Sequence, residues 1–233
     1  VALIHGFTQT SRCWGPLHDA LKSDHEVVPI DAPGHGAASD VSADLDQAAE
    51  LAFEAGGAST YLGYSMGGRI ALHTALAHPH DVERLVLISA TPGIVDDDDR
   101  AARRRDDDAL ADHVVDVGVT TFVHEWLERP LFVGILPELR FEEERRTNTA
   151  EGLAMSLRRC GTGTQHPLWD RLAELTTPTL LIAGGDDPKF AAIAEEMASV
   201  IPNATLEIIA RAGHSAHLER PTAVVDIVTT WLE

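Results

Sequence analysis

No stretch of the 233 residues approaches the roughly 20 consecutive apolar residues that a membrane-spanning helix needs. No charged segment followed by an apolar run marks a signal peptide at the start. The chain opens on Val1-Ala2-Leu3-Ile4, without Met and directly in what reads as a strand, so leading strands are expected ahead of it in the complete protein. Cysteine is scarce: Cys13 and Cys160 stand alone, at a spacing that matches neither a metal nor a redox motif. Free thiols, a cytoplasmic setting and no bound metal are the expectations. Basic residues are few, 18 against 37 acidic ones, for a formal net charge of −19. That balance excludes nucleic acid and anionic membrane surfaces as partners. It also makes any local cluster of arginines informative.

At 44% hydrophobic content the chain supports one core of ordinary size but not two independent domains. Short apolar runs bounded by Gly, Pro and Asp predict buried strands at 1–4, 27–31, 59–63, 85–89, 179–183 and 206–209. Helical spacing fills the intervals at 42–55 and 67–78, and a last helix carries Val224, Val228 and Trp231 on one face. Strands that are apolar throughout and alternate with helices predict an α/β fold with a mostly parallel sheet covered on both faces. The rhythm breaks between about Ile94 and Pro167. There Leu110, Val114 and Val117 share one helical face, and Phe122, Val123, Trp126 and Leu127 a second. Residues 95–167 are therefore expected to form a helical cap over a core of 1–94 and 168–233. Gly161, Gly163 and Pro167 make the end of the cap look loose. Asp96–Asp99 reads as a solvated helix start, where acids suit the helix dipole.

Gly63-Tyr64-Ser65-Met66-Gly67 matches G-x-S-x-G between a strand and a helix. A sharp turn there exposes a serine hydroxyl, and flanking glycines permit the close backbone packing. Ser65 is the candidate nucleophile, and the N–H of Met66 is a candidate oxyanion donor. A serine needs a base to take its proton. His214, after the last strand, is in the expected place, with His217 as competitor on the cap side or site wall. A His214/His217 metal pair is the other alternative. The acid that orients the base should end the preceding strand, and Asp186 and Asp187 both qualify. His5-Gly6-Phe7 follows the first strand, where the N–H of Phe7 is the second candidate oxyanion donor. His35, in a tight Pro-Gly turn, reads as a structural histidine.

In this order, the segments HGF, DAPGHG, GYSMGG, TPTLLIAGGDD and AGH resemble the α/β-hydrolase superfamily over nearly the whole chain. GYSMGGR (63–69), RAARRRDD (100–107), HEWLERPLF (124–132), RRTN (145–148), DDPKF (186–190) and AGHSAHLERP (212–221) are similar, more narrowly, to the MenH family of lyases. That resemblance implies a triad of Ser65, Asp187 and His214, with Asp187 selected over Asp186. It implies proton abstraction from the substrate followed by elimination of pyruvate, with no cofactor and no metal. It also implies a small anionic, polycarboxylate substrate held by Arg69, Arg103 and Arg146, with Tyr64 and Trp126 nearby. Guanidinium forks suit such a ligand, because they bind carboxylates bidentately. The chain departs from the pattern at Thr8, where no glycine follows HGF. A carboxylesterase or C–C hydrolase working through an acyl-enzyme uses the same triad, and a non-catalytic ligand-binding member shares the fold.

Overall fold

A computed structural model describes residues 1–233. Six parallel strands form one sheet in the order β2-β1-β3-β4-β5-β6: β1 Ala2–Ile4, β2 Val28–Ile30, β3 Ser59–Tyr64, β4 Val82–Ile88, β5 Thr179–Gly184 and β6 Ala204–Ile209. Nine α-helices accompany them. The first three are α1 Pro16–Leu21, α2 Leu45–Gly56 and α3 Met66–Ala77. Then come α4 Asp97–Leu127, α5 Glu142–Arg145 and α6 Ala150–Cys160, followed by α7 Pro188–Val200, α8 Ala216–Glu219 and α9 Pro221–Leu232. No helix is long and apolar enough to cross a membrane.

Successive strand residues point to opposite faces, and both faces are apolar. Ala2, Ile4, Tyr61, Leu85, Leu87 and Leu181 join the larger core with α2, α3 and α7. Their neighbours Leu3, Leu62, Val86, Ile88, Leu180 and Ile182 join the second core with α1 and α9. Trp14 is buried in that second core, and both cysteines are buried and free.

Every element between β4 and β5 is helical. The expected pair of cap helices is present within α4 as two helical segments that meet at a kink at Gly118, whose φ of 78° and ψ of 159° are non-helical. The Asp96 carboxylate caps this span, accepting from Asp99 N–H at 2.9 Å. Leu153, Ala154 and Leu157 of α6 pack on Ala111, Val114 and Phe122 of α4. The end of the cap is not loose. A Cβ on Gly163 would sit 2.3 Å from the Arg104 backbone nitrogen, and Gly163 N–H donates to the buried Asp107 at 3.1 Å. Glycine is there for close packing rather than freedom.

The strand order reverses direction between β1 and β3, since β1 connects outward to β2 and the chain returns on its other side. Ligands of open parallel sheets gather in such a crevice, beyond the carboxyl ends of the strands. Pairing of Ile4 with Gly63 brings the loop after β1 beside the turn that carries Ser65.

Candidate active site

Ser65 joins β3 to α3 with φ 52° and ψ −109°, a left-handed conformation that costs a serine of order 1–3 kcal/mol. Its N–H is tied to the Ile88 carbonyl at 2.9 Å. The turn is possible because Gly67 has no Cβ: one there would lie 1.8 Å from the Ile4 carbonyl oxygen. His214 Nε2 lies 2.9 Å from Ser65 Oγ, and His214 Nδ1 lies 2.9 Å from Asp187 Oδ2. Neutral imidazole taking the serine proton at Nε2 must carry its own proton on Nδ1, which the buried carboxylate accepts. Asp187 also accepts from Phe190 N–H at 3.3 Å, so one side chain both starts α7 and holds the His214 ring. Asp186 is exposed instead. Both His214 nitrogens are occupied, which leaves no metal pair with His217. The backbone N–H groups of Phe7 and Met66 donate to no protein acceptor, the free state an oxyanion donor needs.

His217 is not at the cap or in the site wall. It is buried behind Tyr64, between that ring (4.4 Å between centroids) and Trp14 (5.4 Å), with neither ring nitrogen bonded. His35 is structural, as expected: it donates from Nδ1 to Pro33 O at 3.1 Å and accepts Thr8 N–H at Nε2, 3.2 Å.

A cavity of about 520 Å³ opens above Ser65 and His214. Its apolar wall includes Phe7, Leu110, Trp126, Leu131, Phe132 and Phe190. Trp126 stacks on Phe122 and meets Phe7 edge-on at 5.2 Å. Against this wall stand five cations: Arg69, Arg103, Arg129, Arg145 and Lys189. Arg69 is 6% exposed, has no carboxylate partner, and its one side-chain hydrogen bond is to Gln165 Oε1, at 3.5 Å. Burial draws its pKa down to about 10, still charged at neutral pH. Arg103 borders the cavity while its Nε is paired with Asp107 at 2.8 Å.

The third arginine of the sequence reading is displaced by one residue. Arg146 does not line the cavity; it pairs outward with Glu142 and Glu143. Arg145 lines it instead and is 1% exposed. One residue is 100° of rotation around a helix, so neighbouring arginines on α5 and its cap cannot share a direction. Arg145 Nε donates to Arg140 O at 2.8 Å and its Nη1 to Thr8 Oγ1, and no acid pairs with it. Burial lowers its pKa. Thr8 itself has φ 67°, the conformation a glycine would adopt freely. Its polar groups explain the departure: the N–H meets His35, the carbonyl accepts from Asn148 Nδ2 at 2.8 Å, and the hydroxyl anchors Arg145. Spacing alone could not separate Arg145 from Arg146. Arg146 has acids both three and four residues earlier, whereas Arg145 has one only at three, a difference too small to decide which of them folds outward.

Residues 1–227 match the model of the alpha/beta hydrolase family. The chain belongs to that family. A Bacillus subtilis (strain 168) relative, provisionally named 2-succinyl-6-hydroxy-2,4-cyclohexadiene-1-carboxylate synthase, is 35% identical over 100% of this chain and 89% of its own length. The solved structure of MenH from S. aureus superposes with a TM-score of 0.91 at 32% identity, covering 99% of this chain and 92% of that one. A thermophilic esterase from Thermogutta terrifontis, solved with malate bound, gives 0.82 at 25% identity, covering 99% and 88%.

Four buried histidines make the fold acid-sensitive, His73 among them, its pKa lowered by burial. Desolvation holds His5 at a pKa of about 4, and His35 and His217 at about 3, against 6.5 when exposed. The unfolded chain therefore binds more protons than the folded one below about pH 6.5, and stability falls as the pH drops through that window. Each histidine contributes a slope of up to about 1.4 kcal/mol per pH unit, against a total stability of about 5–15 kcal/mol. Thermal melts followed by circular dichroism should show Tm falling steeply between pH 6 and pH 4.5. The fall should be measurably shallower in His217→Phe. A flat Tm from pH 7 to pH 5 would contradict the assignment.

Proposed function

We propose that this enzyme is a 2-succinyl-6-hydroxy-2,4-cyclohexadiene-1-carboxylate synthase of menaquinone biosynthesis. It acts as a carbon–oxygen lyase on a precursor that carries pyruvate in C–O linkage. His214, through Ser65, takes a proton from a ring carbon. The electron pair left behind forms the new C=C bond, the C–O bond breaks, and pyruvate departs with its oxygen as the enolate, which takes up one proton on carbon as the His214 imidazolium gives up the one it carried. Asp187 holds His214 in the correct tautomer and stabilises the imidazolium while it carries the proton. The N–H groups of Phe7 and Met66 stabilise negative charge on a substrate oxygen. Arg69, Arg103 and Arg145 bind the carboxylates, and Tyr64 and Trp126 shape the pocket around the ring. Charge decides among the triad chemistries. An ester hydrolase for neutral substrates has no use for two buried guanidiniums without acid partners, which in a chain of −19 are costly unless the ligand supplies the anion. The same charge argues against nucleic acid as a partner, and the two unpaired cysteines favour the cytoplasm.

The hydrogen-bonded Ser65–His214–Asp187 chain keeps one second reading in view, hydrolysis of a carboxylated ester through an acyl-enzyme. Pyruvate release from the pathway precursor, measured beside hydrolysis of a short p-nitrophenyl ester, separates the two. Rapid pyruvate release is the expected outcome. Ester hydrolysis with no pyruvate release would overturn the lyase reading and leave a serine hydrolase.

A further inference from the structure

The last residue of α8, Glu219, is 4% exposed and has no cationic partner. Its carboxylate accepts two backbone hydrogen bonds: Oε2 from Gly213 N–H at 2.7 Å and Oε1 from Ser215 N–H at 3.0 Å. Those two groups stand immediately before and after His214. Ordinary capping of α8 explains the bond to Ser215, the residue that starts the helix. It does not explain the bond to Gly213, which lies outside the helix on the far side of His214. Bonds to an ionised acceptor are among the stronger ones. Burying a carboxylate with no cation is otherwise unfavourable.

The opposite side of this carboxylate is covered by the cap. A Cβ on Gly134 would fall 2.2 Å from Glu219 Oε2 and 2.9 Å from its Cδ, so the cap backbone lies directly on the carboxylate. The same cap segment is fixed by Leu136 N–H to Leu218 O at 3.5 Å and by an apolar cluster of Phe132, Ile135 and Leu218. Phe132 reaches on to the cavity, its ring 6.4 Å from that of His214.

We infer that Glu219 is the positioning residue for His214, and that the cap segment 132–136 seats on it, so that docking of the cap and alignment of the imidazole are one mechanical event. His214 must meet Ser65 and Asp187 together at 2.9 Å each. A displacement of about 1 Å at such a site costs up to about 10²-fold in rate. The inference rests on His214 being the base of the proposed reaction, but one readout below involves no substrate.

Glu219→Gln preserves shape, yet the amide must turn its NH2 toward one of the two N–H donors and lose that bond. The expected result is a kcat lowered about ten- to hundredfold with KM changed less than about threefold. The low-field proton resonance between His214 Nδ1 and Asp187 should broaden or vanish in the substrate-free protein. Gly134→Ala, a change in the cap that touches no reacting group, should produce the same kcat loss by pushing the carboxylate aside. The double variant should be no worse than either single one. A wild-type kcat with an unaltered low-field resonance in Glu219→Gln would overturn the positioning role. Additive losses in the double variant would overturn the link to the cap. Should Glu219→Gln fail to fold, Glu219→Asp, one methylene too short to span both N–H groups, carries the same expectations. A failed lyase assay leaves the resonance unaffected, so the two readings fail separately.

Discussion

Arg145→Met is expected to lower kcat/KM for pyruvate release by more than about 10²-fold, while Arg146→Met leaves it within about twofold of wild type. The first figure corresponds to about 3 kcal/mol, the scale on which a desolvated charge loses its partner. Arg145 is fully buried at the cavity with no acid to neutralise it. Of its five N–H groups, Nε and one on Nη1 are used by the protein. The rest are available to a ligand carboxylate. Because no acid depends on it, Met in its place strands no buried anion, and the fold should survive. Arg146 pairs with one partly exposed and one largely exposed glutamate, an arrangement typically worth under about 1 kcal/mol. Steady-state kinetics on both variants decide the matter. Equal losses, or a larger loss in Arg146→Met, would mean that the substrate carboxylate lies elsewhere.

Ser65→Ala should reduce kcat by at least about 10³-fold with little change in KM, because the interaction removed belongs to the reacting proton and not to ground-state binding. Alanine inherits the same positive φ, so the turn and the free N–H of Met66 persist. What remains should be the modest catalysis of binding and oxyanion stabilisation. His214→Gln should fall to a similar floor, and the double variant should fall no further, as groups that act as one unit do. If Ser65→Ala retained a tenth of the activity while His214→Gln abolished it, His214 alone would be the base and Ser65 a bystander.

The strands, the strained turn at Ser65 and the chain order of Ser65, Asp187 and His214 were legible because each depends on local physics. All six predicted strands are present. Two of them begin earlier than expected, β4 at Val82 and β6 at Ala204, where charged Glu83 and Arg84 or polar Thr205 interrupt the apolar pattern. The cap was legible as two amphipathic helices, and the span 97–127 is two helical segments that meet at a kink at Gly118. The looseness assigned to Gly161 and Gly163 was misplaced, because the absence of a side chain signals close approach as readily as mobility. Glu219 was invisible as a functional residue, since nothing in a sequence distinguishes a carboxylate that brackets a backbone from one that faces water.

The amino-acid order by itself determined the parallel sheet with helices on both faces, the serine at a strained strand-to-helix turn, and the histidine after the last strand. Each follows from residues within a few positions of one another: apolar runs, glycines at a turn, a polar residue where a strand ends. Tertiary structure alone decided the cavity. Which guanidinium enters it depends on the rotation of a four-residue helix, and which is neutralised depends on acids brought near by folding. Which histidine meets Ser65 depends on a carboxylate 27 residues earlier in the chain, Asp187, lying within hydrogen-bonding distance of it. Side-chain direction and long-range pairing are properties of the packed chain, and so is the charge pattern of the cavity.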